Sequence, residues 1–197
     1  MGKIFCIMGK SATGKDTIYK SLLQNSELGL KKIVSYTTRP IREGEEEGVE
    51  YHFTDVQTLK LLEEQGKVIE CRSYDTIYGI WYYFMVKDSQ IDLTQNDYLI
   101  IGTLESYLKI RDYFGKEKVV PIYIELEDGE RLTRALIREK TQREPKYEEL
   151  CRRFLADCQD FSYEKLEKAG IGKYYANDDL ESCIDEIKEQ IISSRMV

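Results

Sequence analysis

The run Lys3-Ile4-Phe5-Cys6-Ile7-Met8-Gly9-Lys10-Ser11-Ala12-Thr13-Gly14-Lys15-Asp16-Thr17 constrains the fold of this chain more than any other stretch. Ile4 to Met8 is a short, β-rich apolar run, as expected of a strand buried on both faces of a parallel sheet. Gly9 and Gly14 bracket a loop that must curl tightly, and glycine accepts backbone angles that other residues avoid. From Lys15 the pattern turns helical, with Ile18, Leu22 and Leu23 on one face of a segment reaching Gln24. Strand, glycine-bounded loop and helix start, in that order, converge backbone N–H groups on an anion, and Lys15 adds a point charge. The phosphate-cradle pattern G-x-x-x-x-G-K-[ST] is met from Gly9 to Lys15 and broken at Asp16. Gly9, Lys10, Ser11, Ala12, Thr13, Gly14, Lys15, Asp16 and Thr17 are therefore the candidate phosphate-binding residues. The hydroxyl usual at the last position ligates Mg²⁺, and a carboxylate is also a hard oxygen ligand. Asp16 either holds the metal itself, with the Thr17 hydroxyl near the phosphates, or repels phosphate and weakens the site.

Composition narrows the partners. With 42% hydrophobic and 33% charged residues, 197 residues suit one soluble globular unit. A net charge of −7, from 29 Lys+Arg against 36 Asp+Glu, argues against a general nucleic-acid or anionic-membrane binder. It leaves room for a small anion held by a few arginines. No apolar stretch approaches the ~20 residues a membrane helix needs, and the chain runs into its first strand without a signal-peptide layout. The cysteines (Cys6, Cys71, Cys151, Cys158, Cys183) are odd in number and contain no Cys-x-x-Cys pair, so neither a metal nor a disulfide framework is expected. Cys151 and Cys158, seven apart on one expected helix, read as buried small hydrophobes. A structural role is expected for the single histidine, His52, and a reducing, cytoplasmic setting for the chain.

Further along, Lys32–Thr38 and Val49–Thr54 read as strands, and Thr54 as the cap of a helix running to Gln65. Val68–Ser73 and Ile77–Val86 read as strands around a turn near Asp75. Trp81, Tyr82, Tyr83 and Phe84 fit sheet core and rim better than a binding platform. Tyr98–Ile101 and Val119–Leu126 are buried strands flanking a helix from Leu104 to Phe114. Helices are expected over Asp128–Lys140 and, after Pro145, over Tyr147–Lys168. Tyr174–Ala176 is a last strand, and a capped terminal helix follows. The pattern predicts an α/β fold: a doubly wound parallel sheet with an inserted β-rich lobe and a helical lid. Ligands in such sheets bind beyond the carboxyl ends of the strands, where the glycine loop lies.

A second anion site is possible at Ser35-Tyr-Thr-Thr-Arg-Pro-Ile-Arg-Glu-Gly-Glu45. A stiff proline turn would let Arg39 and Arg42 converge on one phosphate. On charge pattern alone, they read equally as solvated arginines offsetting Glu43, Glu45, Glu46 and Glu47.

Thr37-Thr-Arg-Pro-x-Arg-x-Gly-Glu, followed by Gly48-Val-Glu-Tyr-His-Phe53, closely resembles the guanylate kinases, P-loop nucleoside monophosphate kinases. The resemblance implies ATP as donor, Mg²⁺ as cofactor and GMP as acceptor. It implies that Arg39, Arg42, Tyr51 and Tyr78 grip the GMP phosphate, while Ser35 and Glu70 read guanine. A carboxylate can accept both N–H donors of guanine's edge, and adenine has no such pair. Arg134, Arg138 and Arg153 look like the lid arginines that reach ATP phosphates. Arg138 and Arg153 match best, with Arg152 as the alternative to the latter. Asn177 matches the contact beside the adenine ring. The implied catalytic set is Lys15, Arg39, Arg138 and Arg153. The implied organisation is a core of about 1–34, 87–127 and 167–197, an acceptor lobe of about 35–86 and a lid of about 128–166.

The sequence departs from the family at three places. Asp16 replaces the loop hydroxyl, and Ile80 stands where a hydroxyl helps read the base. Thr103 falls where an Asp-x-Asp normally ends the strand. Asp16 is the candidate replacement for the missing metal-side carboxylate. The expected activity is ATP + GMP giving ADP + GDP. The alternatives are a kinase for another phosphorylated acceptor (a different nucleotide or a ribose bisphosphate) and an inactive binding module of the same fold. The oligomeric state, monomer or homodimer, is left open.

Overall fold

The computed structural model of the chain describes residues 1–76 and 78–195. In chain order the first elements are β1 (Ile4–Met8), α1 (Lys15–Gln24), β2 (Lys31–Lys32), β3 (Tyr36–Thr37), β4 (His52–Phe53) and α2 (Val56–Glu64). The hairpin of β5 (Val68–Thr76) and β6 (Gly79–Val86) follows, then β7 (Tyr98–Ile101), α3 (Leu104–Phe114) and β8 (Val119–Glu125). The chain continues through α4 (Asp128–Lys140), α5 (Tyr147–Asp160), α6 (Tyr163–Lys168), β9 (Tyr174–Ala176) and α7 (Leu180–Ser194).

Strand β1 is out of water at every position, and alternation sends its side chains into two separate cores. Ile4, Cys6 and Met8 pack with Leu104, Tyr107 and Ile110 of α3 and Leu166 of α6. Phe5 and Ile7 face the other way, onto Ile18 and Leu22 of α1 and Cys183, Ile184, Ile187 and Ile191 of α7. The strand therefore lies inside a five-stranded parallel sheet, ordered β2-β7-β1-β8-β9 and covered on both faces by helices. This is the doubly wound arrangement that the unbroken apolar run predicts.

A second, four-stranded sheet, ordered β4-β3-β6-β5, is built on the β5–β6 hairpin and backed by Leu59 of α2 against Phe84 and Val86. Helices α4 and α5 pack on each other, with the Arg131 guanidinium 4.7 Å from the centre of the Phe154 ring.

Several expected boundaries shift. The predicted strand Lys32–Thr38 is two strands in different sheets, β2 pairing with β7 and β3 with β6, so the chain changes sheet between them. Only His52–Phe53 of the predicted Val49–Thr54 strand pairs regularly, because Glu46 to Tyr51 form turns around Gly48. The N-cap of α2 is Asp55, whose carboxylate accepts from Thr58 N at 2.7 Å, and not Thr54. The predicted helix Tyr147–Lys168 breaks at Phe161–Ser162, where Phe161 is buried beside Tyr123. Cys151 is exposed and Cys158 only partly buried, so the pair does not form a buried face. Ile77, expected to begin β6, lies outside the described residues.

Helix α7 offers a direct test of this packing. Ile187 is fully buried, while Ile192 is half exposed on the same helix. Ile187→Ala should lower the unfolding free energy by about 2–5 kcal/mol, and Ile192→Ala by less than about 0.5 kcal/mol, in urea titrations followed by circular dichroism.

Candidate active site

The glycine loop leaves the end of β1 and is shaped by close approach. A Cβ on Gly9 would come 2.7 Å from the Ile124 carbonyl. Gly14 has φ +86°, and a Cβ there would come 2.3 Å from Asn177 Nδ2. That nitrogen donates to the Thr13 carbonyl at 2.7 Å. Ala12 is the only non-glycine residue with positive φ (65°) among the described residues, a strain characteristic of functional loops. Asn177 is thus buried beneath the loop and holds it from below. A neighbouring recess of about 380 Å³ is lined by Lys10, Thr13, Glu127, Asp128, Ala176 and Asp178.

Above the loop lies a cleft of about 1430 Å³, onto which Gly9, Ser11, Lys15 and Asp16 open. Burial pushes the Lys15 ammonium below the usual lysine range, with Asp16 and Asp157 pulling the other way. The lid reaches this loop directly. Ser11 N donates to Asp157 Oδ2 at 2.6 Å, and Lys10 Nζ to Asp128 Oδ1 at 3.1 Å. Arg131, on α4, is completely buried, donates through Nε to Asp128 at 3.0 Å and through Nη1 to the Ser11 carbonyl at 3.3 Å.

Arg131, Arg138, Arg153 and Ser11 surround one small void. Among the described residues, Arg131 Nη2 and Arg153 Nε are the two buried side-chain polar atoms without a hydrogen-bond partner. An orphaned guanidinium N–H carries a full desolvation cost unless an acceptor meets it. Both arginines line this void of about 10 Å³ beside Ser11 of the loop. Arg134 and Arg152 are instead engaged at the surface, by Glu130 at 3.0 Å and Glu149 at 2.7 Å. Arg153 Nε lies 3.6 Å from the same Glu149, without a hydrogen bond to it. Arg131 was not anticipated from sequence. Its seven-residue spacing from Arg138 places both on one helix face, which was the available signal.

The opposite wall of the cleft carries Ser35, Tyr51, Tyr78, Trp81 and Tyr83. Trp81 and Tyr83 were expected as core and rim; they line the cleft because they alternate with the buried Phe84 and partly buried Tyr82 along a half-covered sheet. The Tyr78 ring stacks on Trp81 at 6.0 Å. Arg39 is buried, with its guanidinium 5.1 Å from the centre of the Tyr51 ring. It donates from Nη1 to Glu45 Oε2 at 2.7 Å. Glu45 also accepts from Arg42 N at 2.9 Å, so one carboxylate fixes the turn that carries both arginines. The Arg42 side chain is exposed.

Glu70 does not line the cleft. Its carboxylate is buried and accepts from Arg72 Nε at 3.0 Å and Nη2 at 3.2 Å. Arg72, two residues on and on the same strand face, lines the cleft in its place. Thr103 N-caps α3, accepting from Ser106 N at 3.2 Å. Among the described residues, no group of three or more His, Cys, Asp or Glu side chains could hold a metal by itself.

Hydrogen bonding from Arg39, opposed by partial burial, holds the Glu45 carboxyl down at about 2. Because its folded value is depressed, the pair's contribution is fully present above the ordinary carboxylate range and is lost as pH falls through about 2. A carboxyl-carbon NMR titration should give Glu45 a midpoint near 2, moving up toward ~4.3 in Arg39→Met.

Comparison with known proteins agrees with this geometry. The guanylate kinase family model matches residues 1–194. The chain is 30% identical over 196 residues to the guanylate kinase of Caldanaerobacter subterraneus subsp. tengcongensis, covering 98% of this chain and 88% of that one. Over 81 residues it is 43% identical to the guanylate kinase of Neisseria gonorrhoeae, 41% of this chain and 38% of that one. The fold matches the crystal structure of guanylate kinase from Anaplasma phagocytophilum with a TM-score of 0.66 at 24% identity, over 100% of this chain and 87% of that one. With the family model matching almost the whole chain, and a relative 30% identical over 98% of it, the chain belongs to the guanylate kinase family.

Proposed function

We propose that this protein transfers the γ-phosphoryl group of ATP to GMP, giving ADP and GDP. The observation that carries the reading is the pair of unpartnered guanidinium donors, on Arg131 and Arg153, facing the loop that presents Lys15. An acceptor wall of Ser35, Tyr51 and Tyr78 lies across the same cleft. A phosphate oxygen of GMP attacks the γ-phosphorus as the bond to the β-bridging oxygen breaks. The nucleophile is already an oxyanion, so no general base is needed, and positioning with charge neutralisation supplies the catalysis.

Each residue has a defined task in this reading. Lys15 and the loop amides hold the donor phosphates, and donor binding displaces the Asp157 carboxylate from Ser11 N. Arg39, Arg42, Tyr51 and Tyr78 orient the acceptor phosphate, with Arg39 exchanging Glu45 for it in part. Arg138 and Arg153 neutralise the transferring group when the lid of about 128–166 and the lobe of about 35–86 close on the core. Asn177 keeps the loop in its binding shape from below.

Mg²⁺ arrives with ATP phosphates and asks for only one or two protein carboxylates. Asp16, exposed on the cleft beside Lys15, fits that demand, with Thr17 next to it. When bound, the ion offsets charge on the donor phosphates. The setting we infer is cytoplasmic, and no helix among the described residues is long and apolar enough to cross a membrane.

An ADP-release assay with ATP, Mg²⁺ and each nucleoside monophosphate in turn tests the reading. Turnover should be confined to 6-oxopurine acceptors, GMP among them, and Lys15→Met should lower kcat by about 10²–10³-fold. Asp16→Asn should raise the Mg²⁺ concentration needed for ATP binding in calorimetry; an unchanged requirement would remove Asp16 as a ligand. Preferred turnover of a ribose bisphosphate would keep the kinase and replace the acceptor. GMP binding without turnover would leave only a binding module.

A further inference from the structure

We propose that Arg72 is the specificity-determining residue of the acceptor pocket, reading the O6 and N7 acceptors of a 6-oxopurine with the edge of its guanidinium that Glu70 leaves free. The proposal rests on the nucleotide kinase reading above and names the group that selects the base.

The geometry follows from the strand. Residues 70 and 72 of β5 point to the same face, so their side chains meet. Glu70 accepts two parallel hydrogen bonds, from Nε and Nη2 of Arg72. A guanidinium has five N–H donors in a rigid fork. The side-on pair with Glu70 therefore leaves the end edge, both Nη1 hydrogens and one Nη2 hydrogen, pointing elsewhere. Among the described residues, no group accepts from Nη1, and this atom is not among the buried unpartnered ones. The Arg72 side chain is 17% exposed, against 1% for Glu70. Solvent, and hence a ligand, meets the arginine first.

The space beside Arg72 is also defined. Arg72 lines the cleft together with Ser35, Tyr51 and Tyr83. It also lines an adjoining recess of about 700 Å³ with Thr103, Leu104 and Leu108. A planar base can lie against these apolar and aromatic walls with its polar edge toward Arg72. The end-on fork matches O6 and N7 of guanine, a frequent pairing in nucleic-acid recognition. Hypoxanthine offers the same two acceptors. Adenine turns an N–H₂ donor toward the fork at position 6 and is rejected. Glu70, clamped behind, fixes the rotamer of Arg72 and keeps its charge compensated inside the pocket. Guanine's 2-amino group, which only a free carboxylate would reward, then contributes little to selection.

The test compares kcat/KM for GMP, IMP, AMP and 7-deaza-GMP, the last lacking only the N7 acceptor, in the wild-type protein. IMP should come within about tenfold of GMP, since it keeps both acceptors. 7-Deaza-GMP should fall by roughly tenfold, through loss of half of a bidentate contact. In Arg72→Met the GMP to 7-deaza-GMP ratio should collapse to about one, with the change in KM rather than kcat, because a merely structural arginine would lower both substrates equally. Equal values for GMP and 7-deaza-GMP in the wild-type protein overturn the proposal even if the variant fails to fold. An IMP value far below GMP, with 7-deaza-GMP unimpaired, returns base reading to Glu70. If no mononucleotide is turned over, the kinase reading fails; calorimetric Kd values for GMP and 7-deaza-GMP then decide on Arg72, equality overturning it and a tenfold difference supporting it.

Discussion

The complete burial of β1 is the constraint on which the rest of the molecule depends. Five consecutive side chains leave water there, each contributing roughly 1.5–3 kcal/mol of transfer free energy before the entropy of ordering is set against it. Because the side chains alternate, one strand anchors two helical layers at once, and neither core can shift without the other. The strand's end is consequently a fixed point. Gly9 leaves it with no space for a Cβ against Ile124, and the phosphate loop inherits that rigidity.

Charge at the site is arranged so that almost every cation already has a protein anion near it. Arg39 has Glu45, Arg72 has Glu70 and Lys10 has Asp128, while the neutral Ser11 amide donates to Asp157. Phosphates entering such a site exchange partners instead of filling an uncompensated field. Arg131 and Arg153 also have carboxylates near them, Asp128 at 3.0 Å and Glu149 at 3.6 Å, yet Arg131 Nη2 and Arg153 Nε are buried without a hydrogen-bond acceptor. The net acidic surface of the chain is compatible with this because the arginines act at short range, where local geometry outweighs the distant field.

Much of the architecture was legible from local pattern. The strands Ile4–Met8 and Tyr98–Ile101, and the helices Leu104–Phe114 and Asp128–Lys140, stand where periodicity put them. Each carries an unbroken apolar run or a clear helical repeat with a definite stop. Prediction was weakest where strands are short and pairing is non-local. Lys32 and Tyr36 look like parts of one strand, and only their partners, β7 and β6, separate them into two sheets. The long expected lid helix breaks because Phe161 finds a buried place beside Tyr123, a contact no spacing rule contains.

The sequence by itself determined the phosphate loop, the order of strands and helices, and the family to which the chain is related. Those features depend on residues close together in the chain, where steric limits and hydrogen-bonding demands are read directly. Only the tertiary structure decided which side chains line the cleft and which lie behind it. It placed Glu70 behind Arg72, turned Asn177 under Gly14, and brought Arg131 against Ser11. Those choices are set by burial and by charge pairing between segments distant in sequence, and such pairings have no local signature.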